Sequence, residues 1–344
     1  MSHAADLLLS GPRGRRLCLQ YAMSIDPAVR DAVLRLDPSG HGSTILVAGI
    51  GDPGARSFAR TSPEDVAGAL LALGEAPIDA DLLRRALLAS VDSAAYWQEP
   101  DDVDAVTAHP AVLARLHPVA EQVTADVGSD WSEPRTPVQW AVSWNTARPV
   151  AVDASAVLEE WAAAQRAAEE EARRERASDP RARWSGTWWS LPIRLLTSQP
   201  SVRDALELVE DPAGIEAARV TRLRGEGRTL EIDSPADWIE LCRSYPIEVT
   251  ASRQHDWFRV TGWEGRWLIP HWQRVADEWD SVHLTTLGYL SSATRLLSLD
   301  GGYGSVIAGW APNSTLWLTD TTLDAEPERW RRPDDIGGWV RTSP

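Results

Sequence analysis

Residues 234–270 read SPADWIELCRSYPIEVTASRQHDWFRVTGWEGRWLIP. Ser234 is a good helix cap, Pro235 suits the first helical position and Asp237 stands where a capping box needs an acid, so the spacing predicts a helix over 235–244. Trp238, Leu241, Cys242 and Tyr245 fall at i, i+3, i+4 and i+7 and form its apolar face. Residues 257–261 and 266–269 flank the glycine-containing turn GWEG and predict a β-hairpin. Helix and hairpin mixed in one short span point to an α+β domain.

The same pattern continues on both sides. A strand is predicted over 229–232, and a short helix after Pro270 carries Trp272, Val275 and Trp279 on one stripe. Residues 305–310 and 315–318, joined by Ala311-Pro312-Asn313-Ser314, predict a second hairpin. Upstream, 154–177 reads as one long helix whose second half is polar all round, with Glu169/Arg173 and Glu170/Arg174 pairs at i,i+4, and Asp179-Pro180 stops it. Residues 129–150, rich in Pro, Ser and Trp, read as a connecting segment. In the N-terminal part, strands are expected at 17–23 and 43–48 and helices at 26–36, 63–74 and 79–96, then short helices broken by Pro110 and Pro118. Tryptophan supports the division, since of the 18 Trp only Trp97 precedes residue 131. The expected organisation is a largely helical unit (1–150), a solvated connector helix (151–182) and a Trp-rich α+β domain with antiparallel hairpins (183–344).

Composition narrows the chemistry. The 344 residues carry a net charge of -16, and all 34 basic side chains are Arg. With no Lys, neither a Schiff-base lysine nor a P-loop lysine exists here. An acidic surface opposes binding to nucleic acid or anionic lipid. Two cysteines, Cys18 and Cys242, build neither a disulfide framework nor a four-cysteine zinc site. The N-terminus MSHAADLLLSG lacks the apolar run of a signal peptide, and no stretch approaches the length of a membrane span, so a cytoplasmic location is expected.

Gly49-Ile50-Gly51-Asp52-Pro53-Gly54 is literally G-x-G-x-x-G. The next capped helix begins only near Pro63, Pro53 removes an amide, and no acid-tipped strand follows, so a plain turn is expected rather than a nucleotide cradle. Cys242 on an apolar helix face is expected to pack, not to react. No histidine has zinc-site spacing, and no metal site is expected. His255, His271 and His283, however, fall within one 29-residue span among aromatics. A pocket there would use His283 as general acid or base, Asp280 or Asp256 to orient it, and Arg253 to hold an anionic group, with His255, Tyr289 and Trp310 nearby. The competing expectation is a set of half-exposed strand residues or a satisfied structural histidine. Most Trp are expected in cores, with Trp188, Trp189 and Trp310 as candidates for a ligand or partner surface.

The stretches DWIELCRSYPIEVTASRQHDW (237–257), DEWDSVHLTTLGYL (277–290) and SVIAGWAPNSTLWL (305–318) resemble hypothetical proteins of GC-rich actinobacteria. That resemblance implies lineage and compartment, and no activity. The expected function is therefore a small-molecule-binding C-terminal domain, catalytic if His283 serves as its acid or base, with no cofactor named by the residues. NAD-dependent ADP-ribosyl transfer stays open through Arg219 or Arg222, but the last hairpin lacks the Glu that such chemistry uses. The alternative is a non-enzymatic immunity or regulatory protein that docks on a basic partner.

Overall fold

The computed structural model describes residues 2–36, 44–47, 56–74, 76–144, 153–212, 214–324, 326–333 and 338–342. The Gly49–Gly54 motif lies outside them. The chain forms two compact units, residues 1–90 with 100–128, and residues 91–99 with 129–344.

The first unit is helical, with Thr44–Val47 and Arg56–Ala59 as an antiparallel pair. Helices Pro12–Ile25, Pro27–Leu34, Pro63–Leu71 and Pro110–Val127 each begin with proline, whose missing N–H costs nothing at that position. Ser62 and Asp65 form the expected capping box. Two expectations fail here. Residues 17–23 are helix rather than strand, because Leu17, Cys18, Tyr21 and Ala22 make a buried stripe of helical spacing. Pro118 does not break its helix, since the lost bond toward residue 114 is offset by the burial of Leu116, Val119, Ala120 and Val123. Arg13 is fully buried, donates to the Ser90 carbonyl at 3.0 Å and pairs with Asp104. Arg16 donates to both oxygens of Asp101 at 2.6 and 2.7 Å. Burial works against ionising Asp101, yet the Arg16 guanidinium holds its carboxyl below the usual range.

The second unit contains two mixed sheets, an α+β architecture as expected. The larger runs Val340–Thr342, Glu328–Arg331, Ala217–Arg224, Val138–Trp144, Thr197–Gln199, Ser314–Trp317, Ser281–Leu284 and Thr229–Ile232, with Thr322–Leu323 added against Ala217–Arg224. Its last pair is parallel. The smaller runs Leu297–Leu299, Tyr303–Ser305, Arg266–Pro270 and Pro246–Glu248. The expected connecting segment 129–150 thus holds a strand paired on both sides, Val138–Trp144.

Neither expected hairpin forms. Residues 257–261 end the helix Thr250–Thr261, which Gly262 closes at φ 67. Trp257 and Val260 are both buried and stand three apart, a helical spacing that competes with the strand alternation. Tyr303–Ser305 pairs within the smaller sheet and Ser314–Trp317 within the larger, so the turn at Asn313 (φ 52) connects two sheets.

The helix Ala154–Glu175 is not a solvated connector. Leu158, Ala162, Gln165, Glu169 and Ala172 form a buried stripe along it. The Glu169 carboxylate accepts the Ala251 and Ser252 amides at 2.9 Å each, capping the helix Thr250–Thr261.

The helix Pro235–Ser244 forms over the expected residues and buries Trp238, Leu241 and Cys242, while Tyr245 follows it half-buried. Trp238 is 0% exposed and its indole donates to Ser305 Oγ at 2.9 Å. Trp238→Ala should cost about 3–5 kcal/mol in urea titration. Trp184→Ala, at a residue 41% exposed, should cost below about 1 kcal/mol.

Candidate functional site: an aromatic-walled cavity

The strand Val138–Trp144 alternates in burial only over residues 138–142, since Ser143 and Trp144 are both half-buried. Gln139 and Ala141 are buried, while Val138, Trp140, Val142 and Trp144 are only half-buried. The buried side joins an apolar cluster of Ala141, Leu196, Leu223 and Trp317 to a polar row. Gln139 Oε1 accepts from Ser198 Oγ at 3.0 Å and Thr315 Oγ1 at 3.4 Å, Trp317 donates to Ser198 Oγ at 2.7 Å, and His283 Nδ1 meets Thr315 Oγ1 at 3.0 Å. On the other face Trp140, Val142 and Trp144 pack against Leu206, Ala218 and Val220 and stay half-buried.

A cavity of about 350 Å³ lies on that face, within the size range of small-molecule sites. Trp140, Val142, Trp144 and Gln199 come from the sheet, and Leu208–Asp211 from the segment after the short helix Val202–Glu207. Tyr96, Trp97, Trp188, Trp189 and Trp310 complete an aromatic wall. Trp188 stacks on Trp189 with centroids 4.3 Å apart and on Tyr96 at 5.4 Å. Glu210 Oε1 accepts from Tyr96 Oη at 2.5 Å and Tyr289 Oη at 2.9 Å, which fixes a carboxylate at the cavity edge. Gly309 sits at φ 78, and a Cβ there would come within 2.5 Å of the Trp189 ring.

The wall segment 184–190 has no regular secondary structure, so its backbone groups need partners from elsewhere. The helix Thr250–Thr261 supplies them. Trp257 Nε1 donates to the Trp188 carbonyl at 3.1 Å, Arg253 to the Trp189 carbonyl at 3.3 Å, and Arg259 to the Trp184 and Trp97 carbonyls at 2.5 and 2.8 Å. Asp256 accepts the Gly186 amide at 3.3 Å and pairs with Arg259, while His255 Nε2 meets the Ala177 carbonyl at 3.1 Å. Arg253, His255 and Asp256 therefore do not line the cavity; they hold its wall in place. Burial pushes Arg253 down to about 10, against the pull of Glu169, so it stays charged at neutral pH.

Of the other expected residues, Trp310 lines the cavity and Tyr289 reaches it through Glu210. His283 is 1% exposed, in the polar row, and not among the lining residues. Asp280 accepts the Arg228 amide at 2.7 Å instead of orienting His283. Sequence reasoning missed Glu210, Gln199, Trp140 and Trp144. The alternation of Trp140, Val142 and Trp144 was the available signal for the last two. Cys18 and Cys242 are buried thiols pushed up to about 12, packing groups and not nucleophiles. Among the described residues no group of three or more His, Cys, Asp or Glu is placed to hold a metal ion, and no helix is long and apolar enough to cross a membrane. No protein-family model, no curated protein and no solved structure matches the chain.

Burial, aided by Arg135, lowers the His283 pKa from 6.5 to about 4. The folded state thus binds fewer protons than the unfolded one, and the stabilisation is complete above the unfolded value and lost as pH falls toward about 4. Between pH 7.5 and 4.5 His283 should account for a loss of about 2–3 kcal/mol. Urea titrations of His283→Asn should show a pH slope shallower by that amount.

Proposed function

We propose that the second unit is a receptor for a small organic molecule, held against the rings of Trp140, Trp144, Trp188 and Trp189. The observation that carries this is the aromatic wall: Trp140, Trp144, Trp188 and Trp189, all only half-buried, line a cavity of about 350 Å³. Binding is favoured over catalysis because the groups best suited to proton transfer or nucleophilic attack, His283 and the two cysteines, are sealed away from the cavity. The wall is also preorganised, which lowers the entropic cost of holding a ligand.

Native mass spectrometry of the gently purified chain, with a thermal-shift screen of common metabolites, tests this. A bound compound should raise the melting temperature by several degrees and perturb tryptophan emission. Trp144→Ala should abolish both effects and lower the ligand-free melting temperature by a few degrees, because the half-buried indole also packs against Leu206, Ala218 and Val220 and the Trp339 ring. A ligand shift that survives Trp144→Ala and Trp140→Ala, or a screen in which nothing binds, would overturn the proposal.

A further inference from the structure

At one edge of the larger sheet two side chains meet with one hydrogen too few. Thr229–Ile232 and Ser281–Leu284 pair in parallel, and Glu231 is the register partner of His283, so both side chains rise from the same face of the sheet on strands about 5 Å apart. His283 is 1% exposed. Its Nε2 and the Glu231 Oε2 are both buried without a hydrogen-bond partner among the described residues.

The directions of the neighbouring bonds fix which atoms carry hydrogen. Gln139 Nε2 donates to the Thr136 carbonyl at 3.1 Å, so Gln139 Oε1 is the accepting end. Thr315 Oγ1 gives its one hydrogen to that oxygen and therefore accepts from His283 Nδ1 at 3.0 Å. The proton of the neutral imidazole thus sits on Nδ1, and Nε2 is a bare lone pair. At Glu231, Oε1 accepts the Arg135 amide at 3.1 Å and Oε2 is left over. Two acceptors stand as neighbours, each costly to bury unmet, and a single proton would satisfy both.

We propose that Glu231 and His283 form a proton-operated clasp at the edge of the larger sheet. With a proton on Oε2, the carboxylic O–H of Glu231 donates to His283 Nε2, while Oε1 keeps the Arg135 amide. When that proton leaves to solvent, the bond is lost and two lone pairs are left without a donor. Thr229–Ile232 ends the order of the sheet, so the clasp ties down a terminal strand.

The charged groups around the pair are Arg135 and Asp233. Burial raises Glu231 above the usual carboxylate range, against the amide and charge of Arg135 and with help from Asp233. Burial, aided by Arg135, keeps His283 uncharged down to about pH 4, so it remains an acceptor where Glu231 titrates. Both charges are held in place: Arg135 donates to Thr229 Oγ1 at 2.8 Å and to the Gly225 carbonyl at 3.1 Å, and Asp233 accepts from Thr285 Oγ1 at 2.7 Å. The contribution of Glu231 has the opposite sign to that of His283. A folded value above the ordinary 4.5 gives stability that is complete below 4.5 and lost as pH rises through the folded value.

Thermal melts of the full chain between about pH 5 and pH 8, for the wild type and Glu231→Gln, test this. The Gln amide offers its oxygen to Arg135 and its N–H to Nε2 at every pH, and so mimics the closed clasp. The wild type should lose several degrees relative to Glu231→Gln as pH rises through the Glu231 titration. Long-range nitrogen NMR of the wild type should show His283 protonated at Nδ1 and bare at Nε2 throughout, with the Nε2 resonance moving over the same pH interval. A melting difference that is flat with pH, or that turns in favour of the wild type as pH rises, would overturn the clasp. So would a proton found on Nε2 in the neutral ring, or an Nε2 resonance that ignores pH. Should Glu231→Gln fail to fold, the NMR titration of the wild type decides alone.

Discussion

The second unit depends on how the helix Thr250–Thr261 treats an irregular stretch of backbone. Residues 177–190 have no ladder of their own, and buried amides and carbonyls without partners are expensive. Arg253, His255, Asp256, Trp257 and Arg259 answer five of those groups from one helix, and Arg259 also reaches the Trp97 carbonyl. The helix is in turn fixed at its start by Glu169, a buried carboxylate on another helix. Rings on a loop would ordinarily be mobile; here their backbone is tied to a rigid element. Ser190 extends the arrangement, donating from its amide to the Ala308 carbonyl at 3.0 Å, next to the glycine that Trp189 packs against.

The sheet makes the complementary contribution. Because side chains alternate, a strand with indoles on one side and Gln, Ala and Ser on the other must choose which set to bury. The polar row from Gln139 through Ser198 and Thr315 to His283 is hydrogen-bonded along its length, which removes most of the cost of enclosing it. The indoles on the other side pack on Leu206, Ala218 and Val220 and keep part of their rings for the cavity floor. Two groups keep an unmet atom, His283 Nε2 and Glu231 Oε2, whose residues are register neighbours on the parallel strands. Burial raises the Glu231 pKa as it lowers that of His283, so both are driven toward their neutral forms.

Local signals were legible where one element decided them. Ser234-Pro235-Asp237 marked the helix Pro235–Ser244, and Ser62-Pro63-Asp65 another, because a capping box is written in adjacent residues. Fold class followed from the mixture of such signals. Pairing between distant strands did not. Pro134, Pro137 and Pro149 hid Val138–Trp144 by making its surroundings read as linker, although the strand itself alternates perfectly. The cluster at 253–256 was recognised as an unusual gathering of polar chemistry near aromatics, which it is. Its partners are carbonyls some seventy residues away, and nothing in the local spacing says whether a guanidinium meets a ligand or a backbone. Glu210 was invisible for the same reason, since its meaning comes from Tyr96 and Tyr289, 114 and 79 residues distant.

The absence of lysine acquires a structural sense in this light. A guanidinium offers five donors in a planar fork and can serve two or three carbonyls at once, as Arg259 does for Trp97 and Trp184 and Arg135 does for Thr136 and Gly225. A single ammonium on a flexible stem is a poorer cross-link between irregular segments. Arginines spent on carbonyls keep their positive charge behind the wall instead of in the cavity. The all-arginine composition and the irregular backbone of the cavity wall thus fit together, because planar guanidinium forks fix segments that have no ladder of their own.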